Sequence, residues 1–257
     1  MAAQHTAFAS DFDGTLCWSD WTTGEQRFDP RDLEAVRAYQ QAGGLFGVCT
    51  GRPLSSILES VEGKIDLDFY IVMTGSQVFD HELNKLWERV VDRDVAQELF
   101  DRYASPEAVM VAVTESQFVS VRDRMGSALP VVASLSQMRG DLYGVSFECA
   151  GDRDAARAIC ADINEHYGDV VSGFQNLGSV DIVPVGCSKG SGVRVVREAF
   201  GVDIVAGIGD SYNDLPLLSA ADVAYTFGAS PAEVRGEADV VIETLADAIE
   251  DFSERIS

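Results

Sequence analysis

Short apolar runs alternate with helix-patterned stretches along the first third of the chain, and this alternation limits the fold more than any other feature. Thr6 to Ser10 reads as a strand. "FDPRDLEAVRAYQQAGG" reads as a helix, with Asp29 as N-cap, Pro30 at the first helical position and glycines closing it. "LFGVCT" is the next strand, "RPLSSILESVEG" the next helix and "DFYIVMT" a third strand. Strands separated by helices imply a parallel sheet with helices on its faces.

The pattern changes near Gln77. "QVFDHELNKLWERVV" has the form of a hairpin, and a helix is expected over Asp92 to Tyr103. Five closely spaced strand signals follow ("AVMVAV", "FVSVR", "LYGVSFEC", "DVVSGF", "SVDIVPV"), interrupted by a long helix from Asp152 to Tyr167. Frequent strands with few helices between them predict an α+β unit whose sheet is largely antiparallel. After Gly186 the alternation resumes with "SGVRVVREAFG", "DIVAGIG", "NDLPLLSAA", "DVAYTFG" and "TLADAIEDFSERI". The expected organisation is therefore an α/β core of residues 1–79 plus 185–257, split by an inserted α+β domain of residues 80–184.

Composition narrows the partners. At 257 residues and 46% hydrophobic the chain is long enough for a well-buried core, and 24% charged residues is ordinary for a globular protein. The net charge of −23 argues against nucleic acid or an anionic membrane as a partner. Five cysteines (Cys17, Cys49, Cys149, Cys160, Cys187) are scattered, without CxxC pairs, so neither a disulfide framework nor a zinc site is expected. "MAAQHTAFAS" lacks the basic start and apolar stretch of a signal peptide, and no run approaches the ~18 apolar residues of a membrane span. A cytoplasmic location is expected. Nothing in the sequence sets the oligomeric state.

Four loops fall where a parallel sheet binds its ligands, beyond the carboxyl ends of strands. They are Asp11-Phe12-Asp13-Gly14-Thr15, Thr50-Gly51-Arg52, Ser188-Lys189-Gly190, and Gly209-Asp210-Ser211-Tyr212-Asn213-Asp214. Asp11 and Asp13 stand two residues apart at a strand end, where like charges repel unless something holds both. A hard dication resolves the conflict, and Mg²⁺ favours a few carboxylates, several waters and a substrate phosphate. Thr50 and the loop amides at a helix start can hydrogen-bond phosphate oxygens. Lys189, one of only three lysines, supplies a point charge for a transferring phosphoryl group. Taken singly, each loop is also explained as a turn, a cap or a solvated side chain. Together they carry the parts of a phosphoryl-transfer site.

At these residues the sequence resembles the haloacid dehalogenase-like hydrolase superfamily, whose four motifs are similar to "DFDGT", "TGR", Lys189 and "GDSYND". The insertion after the third strand resembles the type IIB cap of the Cof-like phosphatase branch. The resemblance implies a Rossmann-like parallel-sheet core with an inserted α+β cap domain. It also implies a Mg²⁺-dependent phosphatase acting on a small phosphorylated metabolite, most plausibly a sugar phosphate. Asp11 is then the implied nucleophile, forming an aspartyl-phosphate, and Asp13 the general acid and base. Asp11, Asp13 through its backbone carbonyl, and Asp210 are the implied metal ligands. Thr50, Gly51, Arg52 and Lys189 are implied to hold phosphate or substrate, with Asn213 and Asp214 orienting Lys189 or the metal waters. Two other readings use the same residues: a phosphomutase or phosphotransferase that excludes water, and a non-catalytic phosphometabolite-binding regulator.

The chain departs from the branch in two places. Thr74-Gly75-Ser76 stands where members often carry Asn-Gly-Ala. "CWSDWTTGEQRF" is longer and more aromatic than expected, with Trp18 and Trp21 expected to pack under the cap or to stack on a substrate ring. Cys49 beside Thr50 is expected to be a small buried residue.

Overall fold

The computed structural model describes residues 5–20, 23–114, 118–121 and 130–256. Trp21 and the end of "FVSVR" lie outside these residues. The chain begins with β1 (Thr6–Ser10), a small ribbon of β2 (Trp18–Ser19) and β3 (Gln26–Arg27), then α1 (Pro30–Gln41), β4 (Leu45–Cys49), α2 (Leu54–Val61) and β5 (Phe69–Val72). As expected, the Asp29 side chain caps α1, accepting from the Arg31 amide. The hairpin follows as β6 (Gln77–Asp80) and β7 (Lys85–Glu88). Next come α3 (Arg93–Tyr103), β8 (Val109–Val113), β9 (Phe118–Val121), β10 (Val131–Val132), β11 (Gly144–Glu148), α4 (Arg153–Tyr167), β12 (Val171–Asn176) and β13 (Ser179–Pro184). Asp92 and Asp152 cap α3 and α4. The chain closes with α5 (Lys189–Phe200), β14 (Ile204–Ile208), α6 (Leu215–Ala220), β15 (Val223–Phe227), α7 (Ala232–Glu237), β16 (Val240–Ile242) and α8 (Leu245–Arg255).

Two main sheets result. The first has eight strands in the order β16-β15-β14-β1-β4-β5-β6-β7, parallel from β16 through β5. The hairpin adds two antiparallel strands to its far edge. The second has six strands in the order β10-β9-β8-β11-β13-β12, antiparallel except for the β9–β10 pair. The boundary expected at residue 80 therefore falls inside the hairpin. Alternation marks β6 and β7 as strands without saying which sheet they join, and pairing with β5 keeps them in the first. The chain crosses to the second sheet after Glu88, with Val91 bridged to Leu142, and returns between Pro184 and Ser188.

The central strand shows how sequence selects the layers. In "TAFAS" every residue is buried, and alternate side chains face opposite sides. Phe8 enters a cluster with Tyr39 of α1, Phe46, Tyr225 and Phe252 of α8, its ring centroid about 6 Å from each. Ala7 and Ala9 face the other way, into the cluster of Val193 and Val196 from α5 and Leu217 from α6. Bulk on one side and methyl groups on the other let α5 lie close to the sheet, and α5 brings Lys189. The second unit has its own core, in which Phe147, Met110 and Ile182 meet Leu99 of α3 and Ile163 of α4.

Candidate active site

Strand order places the site. β4 lies on one side of β1 and β14 on the other, so the direction of chain progress reverses at β1. Such a switch point opens a crevice beyond the carboxyl ends of the strands. Asp11 follows β1 there, Thr50 follows β4, Gly209-Asp210 follow β14, and Lys189 opens α5 under a Ser188–Ser191 capping box.

The side chains converge. Lys189, 1% exposed, donates from Nζ to Asp11 Oδ1 at 2.6 Å and to Asp214 Oδ1 at 2.5 Å. The other Asp214 oxygen accepts from the backbone N–H groups of Asp210 (3.0 Å) and Ser211 (2.9 Å). Gly209 makes this possible, because a Cβ there would sit 2.3 Å from the Asp214 carboxyl carbon. Asp214 thus fixes both the lysine and the loop. Gly14, at φ +82°, turns the first loop so that the Asp210 carboxylate rests against it, and Thr15 Oγ1 donates to Asp210 at 3.5 Å.

Oxygen atoms of Asp11, Asp210 and Asp214 lie within 4.8 Å of one another. Burial pushes the Asp11 carboxyl well up, the Asp214 charge adding to it and Lys189 opposing. Burial, reinforced by Asp214, likewise raises Asp210 to about 6. Burial disfavours the Lys189 ammonium, yet the charges of Asp11 and Asp214 hold it well above its ordinary value. These carboxylates cost free energy as anions with one lysine among them, and all are hard oxygen donors, so the cluster fits a small divalent cation. Both Asp214 oxygens already accept hydrogen bonds, which leaves Asp11 and Asp210 as the groups to hold one.

Other expected residues fall elsewhere. The Asp13 side chain is outside the cluster: its Oδ2 accepts from Arg52 Nε at 2.6 Å, and its Oδ1 from Arg52 Nη2 at 2.5 Å and Ser19 Oγ at 3.0 Å. Arg52 therefore holds Asp13 rather than standing open to a phosphate. Thr50 is buried, its hydroxyl accepting from the Arg52 amide at 3.1 Å. Asn213 does not reach Lys189 by a hydrogen bond seen here; its amide donates to Asp181 of β13 at 3.2 Å. That carboxylate also lies over Gly51, whose added Cβ would meet it at 3.2 Å. Burial raises Asp181 to about 6, although the Asn213 hydrogen bond and Lys189 oppose this. Beside it, Ser211 Oγ donates to Asn176 of β12 at 3.3 Å. The second sheet thus touches the fourth loop directly.

Ser19 and Asp181 escape a reading by motif. Ser19 sits in the long aromatic segment, where Trp18 draws attention but is 53% exposed. Asp181 carries one faint signal, a single acid within the "SVDIVP" strand. Cys49 is buried as expected, its thiol pushed well up by burial.

Comparison with known proteins identifies the family of the chain. Residues 8–250 match the family model of the haloacid dehalogenase-like hydrolases. An HMP-PP phosphatase of Klebsiella pneumoniae is 24% identical over 245 residues, covering 89% of this chain and 86% of the relative. The 5-amino-6-(5-phospho-D-ribitylamino)uracil phosphatase YcsE of Bacillus subtilis is 21% identical, covering 92% and 89%. Among solved structures, SMU.1108c from Streptococcus mutans superposes with a TM-score of 0.82 at 18% identity, over 98% of this chain and 100% of that one. The subclass IIB sugar phosphatase BT4131 gives 0.79 at 18% identity, over 96% and 99%. The chain belongs to the haloacid dehalogenase-like hydrolase family, and its fold is that of the family's subclass IIB phosphatases.

Proposed function

We propose that the protein is a Mg²⁺-dependent phosphatase that hydrolyses a small phosphorylated metabolite, with a sugar phosphate as the substrate class, through an aspartyl-phosphate on Asp11. One observation carries the reading: a buried lysine bonded to Asp11 and Asp214, with Asp210 alongside, at the switch point of a parallel sheet. The relatives named as phosphatases act on small organic phosphates, which supports the substrate class.

Asp11 attacks phosphorus, and the bond to the ester oxygen breaks. Asp13, which must enter the step protonated against the pull of the Arg52 fork, gives its proton to the leaving alkoxide. Water then attacks the aspartyl-phosphate, Asp13 accepts the water proton, and the P–O bond to Asp11 breaks, restoring the carboxylate. Lys189 stays charged throughout and stabilises the anionic phosphoryl group while keeping Asp11 aimed. Asp214 holds Lys189. A Mg²⁺ ion held by Asp11 and Asp210 would neutralise phosphate charge and relieve the repulsion between the acids. The six-stranded unit serves as the cap, reaching the loops through Asp181 and Asn176.

A panel of phosphate esters, assayed for inorganic phosphate with Mg²⁺ and with excess chelator, tests the proposal. Release that requires the metal and disappears in Asp11→Asn is expected. Unchanged release in chelator, or an active Asp11→Asn, would remove the metal or the nucleophile from the mechanism. Mg²⁺ should also raise the melting temperature by mass action.

A further inference from the structure

Arg52 and Ser19 converge on Asp13 from different parts of the chain. Arg52 follows β4, and its guanidinium meets Asp13 with two parallel N–H donors, the fork geometry that fixes both the place and the plane of a carboxylate. The fork is itself held. It lies 5.0 Å from the ring centroid of Phe12, a fully buried residue, and Nη1 donates to Ser56 Oγ of α2 at 3.3 Å. Ser19 closes the triangle from β2: its hydroxyl donates to Asp13 Oδ1 at 3.0 Å and accepts from Arg52 Nη2 at 3.0 Å. The ribbon that carries Ser19 falls within the stretch "CWSDWTTGEQRF", of which Trp21 and Thr22 lie outside the described residues. Its return to the site is fixed by the tight turn in which Gly14 N–H donates to Cys17 O and Cys17 N–H to Phe12 O.

We propose that Arg52 and Ser19 are positioning residues that aim the Asp13 carboxyl at the leaving-group oxygen, and that Arg52 is not a phosphate ligand. The inference rests on the reading of Asp13 as general acid and base. Two side chains from separate parts of the chain hold one carboxyl group in a plane, whereas an arginine serving as an anion ligand would present its fork to the crevice. The additional ribbon then has a purpose: it supplies the hydroxyl that holds the third corner. In chemical terms the device governs proton transfer and leaves phosphate binding to Lys189 and the loop amides.

The test compares Arg52→Lys, Arg52→Ala and Ser19→Ala with wild type on an alkyl phosphate and on 4-nitrophenyl phosphate, with inorganic phosphate as inhibitor. Misplacing a catalytic group by about 1 Å costs about 10²-fold, so kcat on the alkyl ester should fall by about that factor in Arg52→Ala. Arg52→Lys keeps the charge but not the fork and should recover only part of the loss. Ser19→Ala should fall less than either. The loss on the nitrophenyl ester should be about tenfold smaller, because that leaving group needs little protonation. The inhibition constant of phosphate should barely move. An inhibition constant that rises together with an equal loss on both esters would make Arg52 an anion ligand. Equal losses with an unchanged inhibition constant would make the triangle merely structural. Either result overturns the proposal. Asp13→Asn separates it from the underlying reading: if that variant keeps full alkyl-ester turnover, the acid–base role of Asp13 fails first. If Asp13→Asn is impaired, adding Arg52→Ala to it should cost little more, since the two act through one group; independent, multiplying losses would refute the positioning role.

Discussion

The two sheets divide burial and chemistry differently. In the first, β1 is buried at every residue and β14 at all but its first, covered by helices on both faces. In the second, β11, β12 and β13 mix buried and partly exposed positions, the mark of an antiparallel sheet with one face less covered. In the first sheet every residue of the candidate site stands just past a strand end or at a helix start, none within a strand. The second contributes from within its strands, through Asn176 and Asp181. A parallel sheet can concentrate charges at one end because its backbone is satisfied internally and its helix termini point there. An antiparallel sheet offers a face instead, which can be varied residue by residue. On the proposed function, phosphate chemistry would belong to the end, and recognition to the face.

The sharpest test of that division is Lys189→Ala. Removing one partner of a buried ion pair costs about 3–5 kcal/mol, and here two carboxylates lose their cation. The melting temperature should drop steeply in metal-free buffer and recover in part with Mg²⁺. Turnover should fall by about 10²–10³, alike for every ester tested. A reordering of substrate preference by this variant would erase the contrast between end and face.

Asp181→Asn probes the other side. It keeps an oxygen for the Asn213 donor but removes a charge beside Gly51, so kcat/KM should change unequally among substrates, in the range of roughly ten- to a hundredfold. A stability profile gives a second readout. The folded protein holds the Asp181 proton up to about pH 6, whereas the unfolded chain releases it near 3.9. Unfolding therefore releases a proton between these values, and the stability linked to this group is present below about pH 4 and lost by about pH 6. Metal-free wild type should lose more stability across that window than Asp181→Asn, as followed by denaturant melts. Parallel curves would mean that Asp181 is not the titrating group.

The smallest effect concerns the junction of the two units. Thr74 lies in the left-handed region at φ 51°, ψ 36°, a costly place for a β-branched residue. Asparagine, which the family branch often carries there, visits that region more readily. Thr74→Asn should raise stability by about 1 kcal/mol with little change in substrate ranking. A drop in stability would show that the Thr74 side chain makes compensating contacts.

Much of this was legible in the sequence because it is local. Asp29, Asp92 and Asp152 sit where caps belong, and each caps its helix. Asp11, Lys189 and Asp210 were readable from spacing because strand ends in a parallel sheet must meet. What escaped depends on long-range pairing. The β6–β7 hairpin reads as two strands, but only the β5 edge decides its sheet. Ser19 meets Arg52 across 33 residues, and Asn213 meets Asp181 across 32, with no periodicity to announce either. The three-residue β16 and the six-residue α7 lie in the stretch between "DVAYTFG" and "TLADAIEDFSERI", where no element is expected.

The chain passes between the two sheets twice, once after Glu88 and once between Pro184 and Ser188. Two covalent tethers define a line, and bodies joined along a line retain chiefly one freedom, rotation about it. If the six-stranded unit acts as the proposed cap, two such tethers would favour rotation about that line over sliding or twisting. Rotation about that line would return Asp181 to its place over Gly51, so alignment would be inherited from connectivity and would not have to be found by search. Shortening either tether should stiffen the swing without disturbing either sheet, turning a thermodynamic question of fit into a kinetic one of how often the door opens.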